Sequence, residues 1–197
     1  MIDLTDLELT GGTTPRLLDW GGELVPPFGG VTQRLDRLGS RHSVDCVAPA
    51  RAMEPNGRLW IARLKRAKRE GAIIAFPQVG FDPGNPGTPV VAAAVTAGNT
   101  VPLSGLTSGY RLHEGQWLTI FHAGRRYLYS INTEIVGTSS GTATIQVTPF
   151  LRTQLSQGDV INLSEPEMEG WLAGDEFAWS PDTDRTVSLK FTVTERA

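Results

Sequence analysis

Apolar and polar residues alternate along much of the chain, at the period of two that a strand with one buried face requires. Ile2-Asp3-Leu4-Thr5-Asp6-Leu7-Glu8-Leu9 does so with one slip, and Gly11-Gly12 closes it. Residues 16–20 form a second short candidate, closed by Gly21-Gly22. The stretch Leu24-Val25-Pro26-Pro27-Phe28-Gly29-Gly30 breaks the pattern. Two adjacent prolines cannot sit in a central strand, so it reads as a loop or a sheet edge. Residues 33–37 are compatible with a strand, and 41–47 make a stronger one. The clearest alternation comes last, with Val187, Leu189, Phe191 and Val193 on one face and Ser188, Lys190, Thr192 and Thr194 on the other. A strand of that quality must pair, and the N-terminal sheet is its predicted partner.

One segment follows a helical period instead. Within residues 58–70, Trp60, Leu64 and Ala67 fall at i, i+4 and i+7, with Ile61 beside them. Glu54-Pro55-Asn56-Gly57 offers start chemistry and Gly71 a stop. The opposite face carries Arg58, Arg63, Lys65, Arg66, Lys68 and Arg69. Residues 72–76 are a short apolar run ended by Pro77, as a buried strand would be.

Residues 81–89, rich in proline and glycine, read as a linker or domain crossing. Beyond them, residues 90–164 show strands and turns with no helical period. Candidate strands are 90–94, 100–103, 117–122, 126–131, 143–147 and 160–163. The 117–131 stretch predicts a β-hairpin about Ala123-Gly124, with Trp117, Phe121, Tyr127 and Tyr129 suited to cross-strand packing. Trp20, Trp60 and Trp117 fit core positions, while residues 169–179, which include Trp171 and Trp179, read as a loop-like apolar stretch. The predicted fold is mainly β. A discontinuous domain of 1–83 and 167–197, a β-sandwich or split barrel with one helix, carries an inserted small β-barrel-like domain over 84–166.

The 197 residues include 22 glycines and 13 prolines, in keeping with many turns. Hydrophobic residues at 40% and charged residues at 20% fit a globular chain rather than a disordered one. Eighteen Lys and Arg against 21 Asp and Glu leave a net charge of −3, which argues against specific nucleic-acid binding. A lone cysteine, Cys46, excludes an internal disulfide and a cysteine-based zinc site; it reads as a small buried hydrophobe. No apolar run is long enough for a membrane span, and the first residues lack the basic start and apolar core of a signal peptide.

Catalytic signals are sparse. Gly137-Thr138-Ser139-Ser140-Gly141 matches G-x-S-x-G, but strand-like sequence on both sides favours a hairpin turn over a nucleophile elbow. His42, His113 and His122 form no metal-ligand spacing, although His113 and His122 could meet across neighbouring strands. Asn162-Leu163-Ser164 matches a sequon without a secretory context. No catalytic residue, cofactor site or metal site is assigned, and the chain is read as a non-enzyme.

Three stretches carry a family likeness. They are Gln33-Arg34-Leu35-Asp36-Arg37-Leu38-Gly39-Ser40-Arg41 leading to Pro49 and Gly57-Arg58-Leu59-Trp60; Leu112-His113-Glu114-Gly115-Gln116-Trp117-Leu118-Thr119-Ile120 with Gly124-Arg125-Arg126-Tyr127-Leu128-Tyr129; and Gly141-Thr142-Ala143-Thr144-Ile145-Gln146-Val147-Thr148-Pro149-Phe150-Leu151-Arg152 running into Gly158-Asp159-Val160-Ile161. In texture and order they resemble the distal-tail and tail-tip structural proteins of long-tailed (siphovirus-like) bacteriophages. The resemblance implies a virion protein, made in the bacterial host cytoplasm, that forms a ring, commonly of six copies. The ring would join the tail tube protein to the tail-tip hub and other minor tail proteins. Contacts in a cyclic ring are heterologous. The expected interface residues are Pro26, Pro27 and Phe28 in the glycine–proline loop, Arg58, Lys65 and Arg69 on the helix, and Trp171 and Trp179 near the C-terminus. The basic helix face would meet an acidic face of the neighbour. Alternatives are another minor tail or head–tail joining protein, or a host-surface glycan-binding module carried by the inserted domain.

Overall fold

The computed structural model describes residues 1–9 and 12–196; Gly11, half of the predicted Gly11-Gly12 stop, lies outside them. Among the described residues the fold is mainly β, 45% strand and 9% helical, with a single α-helix and a closed six-stranded barrel. The chain divides into two compact units. The first comprises Met1–Arg16, His42–Gly80 and Glu165–Arg196. The second comprises Leu17–Arg41 and Phe81–Ser164, so it takes in a segment that the sequence reading placed with the first domain.

The first unit is built on one sheet. Its strands run in the order Ile2–Asp3, Ala72–Ala75, Glu167–Leu172, Thr186–Glu195, Arg41–Ala52 and Thr14–Leu18, with Ser180–Pro181 also paired to Thr186–Glu195. The terminal strand pairs as its alternation predicts. Val193 lies opposite Val44 and Leu172, and Phe191 opposite Cys46. Val187, Leu189, Phe191 and Val193 are all buried. Residues directly opposite share a face, so Met168 and Ile74 extend the same apolar surface.

The helix spans Arg58–Glu70 and buries Trp60, Ile61, Leu64 and Ala67. It lies against Ile2–Asp3, Ala72–Ala75 and Glu167–Leu172. Gly71 ends it at φ 80°, its N–H donating to the Ala67 carbonyl at 2.8 Å. The start differs from the expectation. Met53–Gly57 forms one π turn, and no side chain caps the helix. Gly57 is needed there for space, because a Cβ would sit 2.6 Å from Val187 Cγ1.

Two further expectations are corrected in this unit. The predicted strand over residues 2–9 stops after Asp3, whose carboxylate accepts the Thr5 N–H at 2.9 Å and the Thr5 hydroxyl at 2.7 Å. That side chain offers the backbone a turn in place of a ladder. Leu4 and Leu7 remain buried, held in the turn by the bond from Leu7 N–H to the Leu4 carbonyl. The stretch predicted as a loop at 169–179 begins inside the central strand Glu167–Leu172. Its alternation is obscured by Gly170 and by Glu169, which is buried and ion-paired with Arg196 at 3.5 Å. Gly170 permits close approach of the next strand: a Cβ would lie 2.2 Å from the Thr194 carbonyl oxygen.

The barrel of the second unit runs Trp117–His122, Arg125–Ile131, Ala143–Thr148, Thr100–Leu106, Gly87–Val91, Val160–Asn162 and back, every pair antiparallel. Leu103, Leu118, Ile120, Tyr129 and Ile145 are among its fully buried side chains. The hairpin turns at Ala123 and Gly124, both at positive φ (49° and 75°), the backbone that a tight two-residue turn requires. Its aromatics do not pair with one another. Tyr129 opposes Leu118 and Tyr127 opposes Ile120 in the core, while Phe121 opposes Arg126, whose guanidinium lies 5.1 Å from the ring centroid. The proline-rich crossing is shorter than predicted, since the first barrel strand already begins at Gly87.

Candidate interaction surface

Residues 17–41 form an arm. Its centre is a two-stranded ribbon in which Gly22–Leu24 pairs antiparallel with Gln33–Leu35. Gly22 opposes Leu35, Glu23 opposes Arg34, and Leu24 opposes Gln33. Directly opposite residues share a face and neighbours along a strand do not. One face therefore carries Leu24 and Leu35, and the other carries Glu23 and Arg34. Both leucines are exposed. The loop between the strands holds Val25, Pro26, Pro27, Phe28 and Val31, with Phe28 99% and Val31 85% exposed. Pro27 is exposed and Pro26 half-buried. Leu17, Trp20 and Leu38, nearer the root, are exposed as well. Trp20 thus does not take the core position predicted for it; it is 53% exposed, with the Arg41 guanidinium 6.0 Å from its ring centroid.

The polar residues of the arm bond to one another. Asp19 accepts hydrogen bonds from the Gly21 N–H at 2.8 Å, the Ser40 hydroxyl at 3.0 Å and the Arg34 guanidinium. Arg34 Nε also donates to Asp36 at 3.2 Å. The Gly21 N–H, then Ser40 and Arg34, hold the Asp19 carboxyl below the usual carboxylate range. Asp19 in turn holds the Arg34 guanidinium above its ordinary value.

The helix face is less basic than its sequence suggests. Arg58 pairs with Glu54 at 2.8 Å, Arg63 with Asp6 at 3.0 Å and Arg66 with Glu70 at 3.5 Å. Lys68 Nζ donates to the carbonyls of Leu172, Ala173 and Gly174. Among the described residues this leaves Lys65 and Arg69 as exposed helix cations outside any ion pair, with Lys65 Nζ 5.7 Å from the Trp179 ring centroid. Trp179 lies beside Phe177 at 5.6 Å and is exposed, as is Trp171 on the central strand.

The remaining candidates have structural settings. The G-x-S-x-G stretch is a turn closed by Thr138 and Thr142, and a strand, Ala143–Thr148, follows it where an elbow needs a helix. His113 and His122 do not meet: His122 Nδ1 lies 2.8 Å from Asp159, and His113 Nδ1 lies 3.5 Å from Glu134. His42 is buried beside Glu195, whose carboxylate accepts the His42 N–H at 3.1 Å. Among the described residues, no three His, Cys, Asp or Glu side chains are grouped to hold a metal ion. Cys46 is buried, and burial pushes its thiol up to about 12. No helix among the described residues is long and apolar enough to cross a membrane.

The sequence reading thus found the loop at Pro26–Phe28 and a strand within 33–37, where Gln33–Leu35 lies, but not the pairing with Gly22–Leu24 that makes the arm. Leu35 and Leu38 carry no periodic signal because the ribbon strands are three residues long. Asp19 and Arg34 gave no signal at all, being brought together only by the fold. Set against known proteins, the chain matches no family model, and no curated protein is significantly similar to it in sequence.

Proposed function

We propose that this chain is a structural virion protein at the distal end of a phage tail, forming a ring that joins the tail tube to the tail-tip hub. The observation that carries the self-assembly part is the arm. It exposes eight large apolar residues, each offering on the order of 100 Å² of surface to a partner. Contiguous exposed apolar surface is often functional. In a ring, the arm of one copy seats on a different surface of the next, and the pattern repeats until it closes. The place of that ring in a phage tail rests on the family resemblance of the three sequence stretches.

Phe28→Asp and Val31→Asp test the reading. Both side chains are almost fully exposed, so neither change unfolds the chain. The expected result is an assembly, alone or on tail-tube protein, that either variant abolishes with the melting temperature unchanged. Assembly undiminished by both variants would remove the arm from the interface. A chain that binds glycans and never assembles would move the function to the barrel.

A further inference from the structure

At the arm's root, beside Asn99 and the 147–150 segment of the barrel, chain segments far apart in sequence converge on one carboxylate. Asp19 and Ser40 are 21 residues apart and hydrogen-bonded at 3.0 Å. The Ser40 hydroxyl also accepts the Trp20 N–H at 3.2 Å. Asp19 further takes the Gly21 N–H and the Arg34 guanidinium, and Arg34 reaches on to Asp36. The entering strand, the returning strand and the exit of the arm are therefore joined through a single side chain. Gly21 fits the same arrangement, since a Cβ there would lie 3.0 Å from Asp19 Oδ1, 3.1 Å from Arg34 Nη2 and 3.3 Å from the Leu35 carbonyl oxygen.

We propose that Asp19 is the positioning residue of the arm, a clasp that holds its two strands in one direction and so presents the apolar face preformed. The use of that preformed face in assembly rests on the ring reading above; the clasp itself does not. Magnitude decides what the clasp can do. Exposed ion pairs add little to global stability. Here the bonds oppose only the local opening of a short ribbon, where a few bonds of modest strength each shift the equilibrium several-fold. An arm that is in its binding direction for only a fraction of the time binds weaker by that fraction.

The test follows the arm's direction by electron spin resonance distances on the whole chain, carrying Phe28→Asp and diluted until its mass in solution is that of a monomer. Nitroxides are attached at Thr32→Cys on the arm and Gln157→Cys on the barrel, both exposed and both in the second unit. Cys46 is buried and stays unlabelled. With Asp19 intact the distance distribution is narrow. Asp19→Ala is expected to broaden it at least twofold and to speed amide exchange of residues 22–24 and 33–35 by about tenfold, with exchange in Arg41–Ala52 unchanged. Asp19→Asn, which keeps the neutral acceptor, falls between. Asp6→Ala breaks an equally exposed pair, with Arg63, away from the arm and leaves the distribution narrow. A distribution that stays narrow in Asp19→Ala, or one equally broadened by Asp6→Ala, overturns the clasp. Because the label reads the monomer, that result is separate from any failure to assemble.

Discussion

At the scale of single residues, contact geometry and burial make the sharpest expectations. Gly170 sits where any Cβ meets the Thr194 backbone, in the middle of the sheet. Gly170→Ala is expected to destabilise the chain by about 1–3 kcal/mol, read as a lowered denaturation midpoint. Cys46 should resist a thiol reagent at pH 8 in the native chain and react at once in denaturant, because the thiol is both buried and far from its ionised form. Asp19 gives a pH dependence with a definite sign. Its folded carboxyl titrates below the unfolded value, so its contribution is present above the ordinary carboxylate range of about 3.9. The contribution is lost as the pH falls through the folded value. Amide protection of the arm, corrected for the intrinsic pH dependence of exchange, should be steady from pH 7 to 5 and fall below about 4.

At the scale of elements, the long periodic segments were legible and the short ones were not. Trp60, Leu64 and Ala67 specify the helix because their 3.6-residue spacing has one interpretation, and residues 58–70 are helical as predicted. The terminal strand was legible because its alternation is long and clean, and the Ala123-Gly124 hairpin because Gly124 interrupts two apolar strands at a position of positive φ; Ala123 at φ 49° carried no such signal. The strand Glu167–Leu172 was not. A buried carboxylate and an obligatory glycine occupy its alternating positions, and both are explained only by neighbouring strands. The start of the chain misled because Asp3 turns it. The candidate surface was legible at its tip, where Pro26, Pro27 and Phe28 interrupt every period, and in its returning strand, but not in the pairing of its two strands. The helix face shows the converse error: of six cations in sequence, Arg58, Arg63 and Arg66 are paired with Glu54, Asp6 and Glu70, and Lys68 bonds to backbone carbonyls, which leaves Lys65 and Arg69. Replacing both Lys65 and Arg69 by glutamate is therefore expected to weaken assembly less than Phe28→Asp, in a side-by-side comparison of association midpoints.

At the scale of the whole molecule, each of two compact units has its own buried core, and the arm belongs to the barrel's unit by its contacts. Loss of core packing should unfold the chain, whereas loss of the arm's apolar face should leave it folded and unassembled. Leu64→Ala, in a fully buried helix position, is expected to cost about 2–5 kcal/mol, while Phe28→Asp leaves thermal unfolding unchanged. The measurement that bears most directly on the account is the mass of the purified chain in solution as concentration rises, alone and with tail-tube protein, followed by negative-stain microscopy of the heaviest species. The account predicts a discrete, closed ring that is absent in Phe28→Asp. A chain that remains a monomer at every concentration and in the presence of tail-tube protein would contradict it.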